Sequence, residues 1–352
     1  MKLFCYKAQC GDAFHIQYVG ESGVTRNIFL DMGHSKTYSS KLKGVISQII
    51  DDSEHIDALF LSHIHNDHIG GANSFIKEIH SYPILNNVVK RWFYNAPRMY
   101  VVKQSLDNEN GVLCGIVSGD KVYEHIVKSS PENLNDITDG QFFCIDGMKI
   151  TILSPSMDKL NILRDKYLNK RPLCKSESDE VSVAAGGVSN DYSIQLNKFK
   201  LDFFQEDTSV ENASSIASLF EFEGKKILWL SDSVPSVIMK SLSKLGFSES
   251  NKLYCDAVLL SHHGSAANNS FSLFQMIQAN KYIISTDGIN KYCLPNKETL
   301  ARIVYASQNL PVALYFNYND GRLKTLFKSD DSNDIKSMVD IHHLEDAEAI
   351  EF

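Results

Sequence analysis

The sequence His63-Ile64-His65-Asn66-Asp67-His68 directly follows the apolar run Ala58-Leu59-Phe60-Leu61-Ser62 and precedes Gly70-Gly71. The apolar run is typical of a strand that is buried inside a layered sheet. Neutral imidazoles and carboxylates are the usual ligands of catalytic zinc and related divalent ions. The segment therefore predicts a metal centre. The alternative, a polar loop that is rich in histidine by chance, explains neither the apolar strand before it nor the paired glycines after it.

The spacing of the four side chains favours two ions. In an extended segment His63 and His65 point the same way, and a turn at Asn66 lets Asp67 and His68 face a second ion nearby. The paired glycines let the backbone pass close to the metals. We therefore expect two divalent ions, Zn²⁺ or Mn²⁺, with His63, His65, Asp67 and His68 among their ligands.

The bulk composition is that of an ordinary globular protein. The chain has 352 residues, of which 43% are hydrophobic and 22% charged. A net charge of −8 argues against a surface devoted to non-specific nucleic-acid binding, although Lys90, Arg91 and Arg98 form a local patch that could hold phosphates. No apolar run reaches the roughly 18 residues that span a bilayer. Because the first residues also lack the apolar region of a signal peptide, we expect a cytoplasmic location with no membrane partner.

Strands alternate with helices in both halves of the chain, which favours two sheets covered by helices in a four-layer αββα arrangement. We expect one domain over residues 1–328, with an elaborated insertion at about 81–200, and an acidic C-terminal tail at 329–352. The predicted elements include a helix at 73–79 and strands at 193–195, 201–204 and 323–327.

H-x-H-x-D-H after an apolar strand resembles the signature of the metallo-β-lactamase superfamily, and further motifs of that family follow in order. Leu30-Asp31-Met32-Gly33 resembles the first motif, whose Asp supports the metal loop. Leu230-Ser231-Asp232-Ser233 resembles the fourth, whose Asp bridges the two metals, and Ser261-His262-His263-Gly264-Ser265 resembles the fifth, which supplies the last histidine. The resemblance covers about residues 1–320. It implies an α/β (α+β) fold with two mixed sheets covered by helices, and a hydrolytic centre.

Segments around Glu211-Asn212-Ala213 and Ser285-Thr286-Asp287-Gly288 look like the hydrolase domain of ComEC-type competence proteins. Those domains are thought to degrade a DNA strand, so the resemblance implies a nuclease or a nucleotide phosphodiesterase. Similar stand-alone bacterial proteins, some beside anti-phage genes, imply a place in a defence or DNA-processing system with protein partners. A homodimer is a further option.

Two positions depart from the family pattern. Most superfamily members have a third-motif histidine where this chain has Asn212, which leaves the first metal with His63, His65, Asp232 and water. ComEC-like domains share this Asn. The second departure is Leu294, which stands before Pro295 where a histidine is usual, so no acid or substrate contact is assigned there.

The candidate site residues receive separate roles. Asp67 is expected to orient the attacking water and accept its proton, besides binding metal. Of the two adjacent histidines we favour His262 as the ligand, because it directly follows a strand. His263 would then act as an acid or a phosphate contact. Asp31, Asn212 and Ser265 are expected around the ligands, although a plain turn explains Ser265 equally well, and helix capping is the alternative for Asp232.

Two other functions remain open on this sequence. One keeps the enzyme but changes the bond, to a carboxylic ester, lactone, thioester or phosphorylcholine-type ester. The acidic net charge favours this reading slightly. The other is a non-catalytic regulatory partner, which the missing third-motif histidine supports and the complete H-x-H-x-D-H opposes.

Overall fold

The structure of the chain is a computed structural model that describes residues 1–82, 85, 87–98, 115–168, 190–289, 292–319, 321–346 and 348–352. The strands are β1 Lys2–Cys5, β2 Phe14–Val19, β3 Thr25–Leu30, β4 Ala58–Leu61, β5 Trp92–Tyr94, β6 Phe142–Ile145, β7 Met148–Ser154, β8 Ala217–Phe222, β9 Lys225–Trp229, β10 Leu253–Cys255, β11 Ala257–Leu259, β12 Ile277–Ala279, β13 Tyr282–Ile284, β14 Val312–Phe316, β15 Val339–His343 and β16 Ala349–Glu351. The helices are α1 Ser35–Thr37, α2 Lys43–Asp51, α3 Asn66–Ser81, α4 Gly115–Ser129, α5 Met157–Tyr167, α6 Val210–Ala213, α7 Pro235–Lys244, α8 Phe271–Gln275, α9 Lys297–Ala306 and α10 Ser332–Met338, with a π-helical turn, Tyr38–Leu42, joining α1 to α2.

Two large mixed sheets make up the centre of the described structure. The first has the strand order β16-β1-β2-β3-β4-β5, and the second has the order β15-β14-β13-β11-β9-β8-β7-β6. In the first sheet β3, β4 and β5 run parallel, and in the second β9, β11, β13, β14 and β15 do. Each sheet is completed by antiparallel strands. A short parallel pair, β10 and β12, lies beside them.

The apolar residues of neighbouring strand positions fill different layers. Ile28 and Leu30 face the second sheet, where Phe60 stacks on Phe93 at 4.1 Å and meets Trp229 edge-on at 6.1 Å between ring centroids. Phe29 faces outward, towards the helices that cover the first sheet. A third cluster packs α7 and α9 on the outer face of the second sheet. Because these strands are buried on both faces, they read as continuous apolar runs, and the predicted αββα fold is confirmed.

The C-terminal residues belong to both sheets, which corrects the prediction of a separate acidic tail at 329–352. β15 pairs with β14 in parallel, and β16 pairs with β1. The acidic residues lie on the exposed side, while Val339, Leu344 and Ile350 are buried. The acidic composition therefore obscured the alternation of exposed and buried residues in the two segments that each add an edge strand to a sheet.

Other expected elements differ in extent or type. The helix expected at 73–79 is α3, which begins seven residues earlier, at Asn66. Of residues 323–327, the first three form a 3₁₀ turn, Leu323–Thr325, instead of a strand. Residues 193–195 and 201–204 also form no strand. The region at 81–200 contributes β5 to one sheet and β6 and β7 to the other, while residues 99–114 and 169–189 lie outside the described part. No helix among the described residues is both long and apolar enough to cross a membrane.

Substitution Ile350→Ala tests whether the C-terminus is part of the core. We expect it to lower the free energy of unfolding by about 2–4 kcal/mol, because Ile350 fills the space between the sheets. Its neighbour Glu351 is exposed and forms only a surface ion pair with Lys2, so Glu351→Ala should change stability by about 0.5 kcal/mol or less. Urea unfolding measures both. Equal, small effects would contradict the packing described here.

Candidate metal centre

The predicted ligands gather at one edge of the sandwich because they follow the carboxyl ends of parallel strands. Asp31 follows β3 and His63 follows β4 in the first sheet, while Asp232 follows β9 and His262 follows β11 in the second. β3 pairs with β4, and β9 with β11, so the two pairs of strand ends face one another across the sandwich. This edge is where open α/β sheets usually place their ligands.

The backbone is left-handed at several of these strand ends. The angle φ is 57° at Asp31, 46° at Ser231, 46° at His262 and 54° at His263. Such values are uncommon for residues other than glycine and cluster at functional sites. They turn the side chains into the space between the sheets instead of along the strands.

The helix α3 presents Asp67 and His68 from its first turn. His63 and His65 precede it in extended backbone, and His65 is the residue at which the helix begins to hydrogen-bond. The helix packs closely on the loop after β3, since a Cβ at Gly71 would lie 2.1 Å from the carbonyl oxygen of Met32. The glycine therefore lets the helix approach this loop, which differs from the expected role of letting backbone pass the metals.

The first ligand group consists of His63, His65 and Asp232. The Nε2 atom of His63 lies 3.7 Å from Oδ2 of Asp232 and 2.9 Å from Nδ1 of His65. His63 and Asp232 are buried. His63 thus lies within reach of both His65 and Asp232.

The second ligand group consists of Asp67, His68 and His263. The Oδ2 atom of Asp67 lies 3.9 Å from Nε2 of His68 and 3.6 Å from Nε2 of His263. The other oxygen of Asp232, Oδ1, lies 3.3 Å from Nε2 of His68. Asp232 therefore has one oxygen at each group, as a carboxylate shared by two ions requires.

The donor atoms fit divalent cations. Nε2 of His68, Nε2 of His263 and Oδ1 of Asp232 are among the buried side-chain atoms of the described residues that have no hydrogen-bond partner. Unsatisfied buried donors and acceptors are costly and rare, whereas lone pairs that converge on one point are what a bound ion needs. The nitrogen and carboxylate set suits zinc or manganese.

Burial and neighbouring charges shift the pKa values of side chains in both ligand groups. Burial lowers the pKa of His68, but the carboxylates of Asp232 and Asp67 outweigh burial and raise it well above the usual range. Burial likewise raises the pKa of Asp232, and the neighbouring histidines reverse this and hold it well below its usual range. For His63 burial dominates, and its pKa falls. A cation between these side chains would satisfy the carboxylates while the imidazoles stay neutral.

Asp31 lies behind His68, which agrees with the supporting position that its resemblance to the first family motif implies. Its carboxylate accepts hydrogen bonds from Nδ1 of His68 and from both the backbone N–H and the hydroxyl of Ser62, each at 2.7 Å. This directs the Nε2 atom of His68 towards the second ligand group. Asp31 is fully buried, and it reaches the centre through His68 and, by way of the Ser62 hydroxyl, through His63.

Asp12 has the equivalent place behind His263, and sequence reasoning missed it. Its Oδ1 lies 3.3 Å from Nδ1 of His263, which also contacts the carbonyl oxygen of Ser285 at 3.0 Å. The backbone N–H of Asp12 donates to the carbonyl of Asp67 at 3.1 Å. Asp12 precedes β2 in a turn without a recognisable motif, so the sequence offered no signal beyond an aspartate next to Gly11.

The structure places His263, and not the favoured His262, beside the pair Asp67 and His68. It is His263 that joins Asp67 and His68, and it is buried. His262 is 26% exposed, with Nε2 3.8 Å from Oδ2 of Asp232. The position directly after the strand did not decide which histidine joins Asp67 and His68, because the left-handed backbone at both residues changes where each side chain points. A free acid role for His263 has no support in this arrangement.

The remaining expected residues lie nearby without facing the ions directly. The amide nitrogen of Asn212 donates to Asp207 at 2.7 Å. The hydroxyl of Ser265 accepts from the backbone N–H of Ala267 at 3.3 Å, which is the plain-turn alternative. In the patch at 90–98, Arg98 is buried and paired with Asp120, and the aromatic residues Trp92–Tyr94 form the buried strand β5.

Residues 18–128 match the family model described as the metallo-beta-lactamase superfamily. The match includes the H-x-H-x-D-H segment, and the two mixed sheets with outer helices have the metallo-β-lactamase fold. A comparison with curated proteins gave no match.

Several solved structures are similar over nearly the whole chain. The metallo-beta-lactamase fold protein YhfI from Bacillus subtilis is 11% identical, with full coverage of both chains and a TM-score of 0.41. A diphosphatase from the PhnP family is 13% identical over 97% of this chain and 84% of its own, with a TM-score of 0.37. Zn²⁺-bound PqqB from Methylobacterium extorquens is 10% identical, with full coverage of both and a TM-score of 0.38. At these values the likeness says nothing about activity.

Metal analysis tests the two ligand groups directly. We expect the protein to retain about two Zn²⁺ or Mn²⁺ ions per chain after desalting. Asp232→Asn should reduce the retention of both ions, because the amide replaces the carboxylate that they share. The matched control His342→Ala changes an exposed histidine away from the centre and should leave the content unchanged. Full retention in Asp232→Asn, measured by mass spectrometry of the metal, would contradict a shared carboxylate.

Asp31→Asn tests the support behind His68. We expect the affinity of the second ion to fall by about 10–100-fold, because the ligand imidazole loses its charged hydrogen-bond acceptor. Asp57→Asn is the control, since Asp57 is also largely buried and accepts a backbone N–H but lies on Arg26, outside the centre. Competition titrations with a metal chelator measure both affinities. The same loss in both variants would indicate a general effect on folding.

Proposed function

We propose that this chain is a metal-dependent hydrolase that uses a two-ion centre to activate water, with phosphodiesters as its substrates. One observation carries the proposal: the two oxygens of the buried Asp232 face two separate groups of histidine and aspartate side chains. Two divalent ions held there would lower the pKa of water and polarise the oxygens of a substrate.

The protein side chains perform distinct tasks in this proposal. Asp232 keeps the two ligand groups at a fixed separation, and Asp31 and Asp12 orient the imidazoles of His68 and His263 from behind. Asp67 is 26% exposed, so it borders the open side of the centre, where water and substrate arrive. Burial raises the pKa of Asp67, but His68 and His263 reverse this and hold it well below its usual range. Asp67 is therefore ionised at neutral pH and can orient a water by accepting its hydrogen bond.

The charge of the centre supports an anionic substrate. Two divalent cations beside Asp67 and Asp232 would present positive charge to the oxygens of a substrate, while the carboxylates of Asp31 and Asp12 balance part of that charge from behind the imidazoles. In-line displacement at phosphorus suits such a centre, because both the attacking and the leaving oxygens need stabilisation. The ComEC-like segments around Asn212 and Ser285 add sequence support for nucleic acid or nucleotide as the substrate. A bacterial defence or DNA-processing system, with protein partners or a homodimer, is the setting we propose for it.

An uncharged ester is the second candidate, and one observation favours it. The described structure pairs the ligand side chains with carboxylates, amides, hydroxyls and other histidines, but with no Lys or Arg. A lactone or thioester needs no such cation. The patch proposed for phosphate contact is also reduced, because Arg98 is buried against Asp120.

A substrate panel separates these functions. The protein, loaded with Mn²⁺ or Zn²⁺, is incubated with single- and double-stranded DNA, RNA, bis-p-nitrophenyl phosphate, a lactone and a thioester. We expect cleavage of phosphodiesters, and we expect Asp232→Asn to lower it to the level of metal-free protein while His342→Ala remains active. Preference for the lactone or thioester would favour the second candidate. No cleavage of any substrate by protein that holds both ions would indicate a non-catalytic partner.

A further inference from the structure

The two adjacent histidines after β11 face different sides of Asp232. The Nε2 atom of His262 lies 3.8 Å from Oδ2 of Asp232, the oxygen that His63 approaches to 3.7 Å. The Nε2 atom of His263 instead lies 3.6 Å from Oδ2 of Asp67. We propose that the two histidines serve different ions, with His262 completing the first ligand group and His263 completing the second. The inference rests on the two-ion centre of the proposed function.

The backbone explains how neighbours in sequence can point to different ions. His262 has φ 46° and ψ 52°, and His263 has φ 54° and ψ 26°, so both residues are left-handed. Their ring centroids are 5.7 Å apart, and the ring planes are inclined by 73°. In an ordinary strand the two side chains would alternate between opposite faces of the sheet. Here the turn lets both enter the same space from different sides.

The strained turn is held by its surroundings. The backbone N–H of His262 donates to the carbonyl of Ser231 at 2.8 Å, which ties the turn to the residue before Asp232. The buried side chain of Asn269 donates to the carbonyls of Ser261 and Ser265, on either side of the two histidines. Strained backbone persists only where its surroundings hold it, and it is common where a site demands it. These contacts therefore fix the positions of the two imidazoles.

Asn268 sets which nitrogen of His262 is free. The amide nitrogen of Asn268 donates to Oδ2 of Asp207 and to the carbonyl of Asp232, both at 3.1 Å. Its oxygen therefore faces Nδ1 of His262, at 2.9 Å. Because that oxygen only accepts, Nδ1 must carry the hydrogen, which leaves the lone pair of Nε2 directed at the first ligand group. This is the arrangement that metal-bound histidines usually have.

Asn212 supports His262 and does not replace it. Its amide nitrogen donates to Oδ2 of Asp207, the same oxygen that Asn268 uses, and lies 3.4 Å from Nδ1 of His262. Asn212 is thus behind the ring of His262, on the side away from the ion. The position that carries a third-motif histidine in most superfamily members is used here to hold a histidine that arrives from the fifth motif. The first ion would then have His63, His65 and His262 with Asp232, so that His262 takes the place left to water when Asn212 replaces the third-motif histidine.

Counting ions in three variants tests the inference. His262→Ala, His263→Ala and the double variant are loaded with Zn²⁺, desalted and analysed for metal, and circular dichroism and the melting temperature report folding. We expect each single variant to retain about one tightly held ion and the double variant almost none, because each histidine serves its own ion. His262→Gln provides a second variant of the same site, since residue 262 is partly exposed and tolerates a polar replacement.

Each other outcome overturns the inference. Two ions in His262→Ala would show that this residue is not a ligand. One ion in each single variant and also in the double variant would show that both histidines serve the same ion. Loss of an ion in Asn212→Ala, with His262→Ala and His262→Gln retaining both, would make Asn212 the ligand. These counts do not depend on activity, so a protein that binds as expected and cleaves nothing would refute the proposed function alone.

Discussion

The buried carboxylate of Asp232 imposes the constraint on which the rest of the centre depends. Its two oxygens face histidines on both sides, with Asp67 nearby and with Asp31 and Asp12 behind the rings. Several negative charges in one buried space are unfavourable unless cations or protons compensate them. Burial lowers the pKa values of His68 and His263, but the neighbouring carboxylates raise both well above the usual range, which favours protonated imidazoles when no ion is bound. Divalent ions would replace those protons, so metal affinity and pH are linked.

The sandwich meets this constraint by bringing strand ends from both sheets to one edge. Short parallel strands deliver each side chain to the same layer, and left-handed residues at their ends turn it inward. The close approach of α3 to the loop after β3, which Gly71 permits, places His68 against Asp31. The cost of strain at these positions is offset by the buried sheets on either side.

The arrangement also shows how a ligand position can move while the centre stays the same. Asn212 keeps the place of a histidine but turns its amide to Asp207, and the ring that reaches Asp232 from that side belongs to His262. A sequence comparison that aligns motifs reads this as a lost ligand. In the folded chain Asn212, which replaces the third-motif histidine, lies within hydrogen-bonding distance of the extra histidine, His262.

The sequence by itself determined the αββα fold and most of the candidate ligands, because apolar runs, glycines and H-x-H-x-D-H are local patterns. His63, His65, Asp67, His68, Asp31 and Asp232 could be named from it. It could not find Asp12, whose partner His263 lies far along the chain. Nor could it choose between His262 and His263, since the choice depends on backbone dihedrals held by remote contacts. The edge strands formed by Val339–His343 and Ala349–Glu351 were hidden for the same reason: acidic composition is local, whereas sheet pairing is decided by residues that meet only in the folded chain.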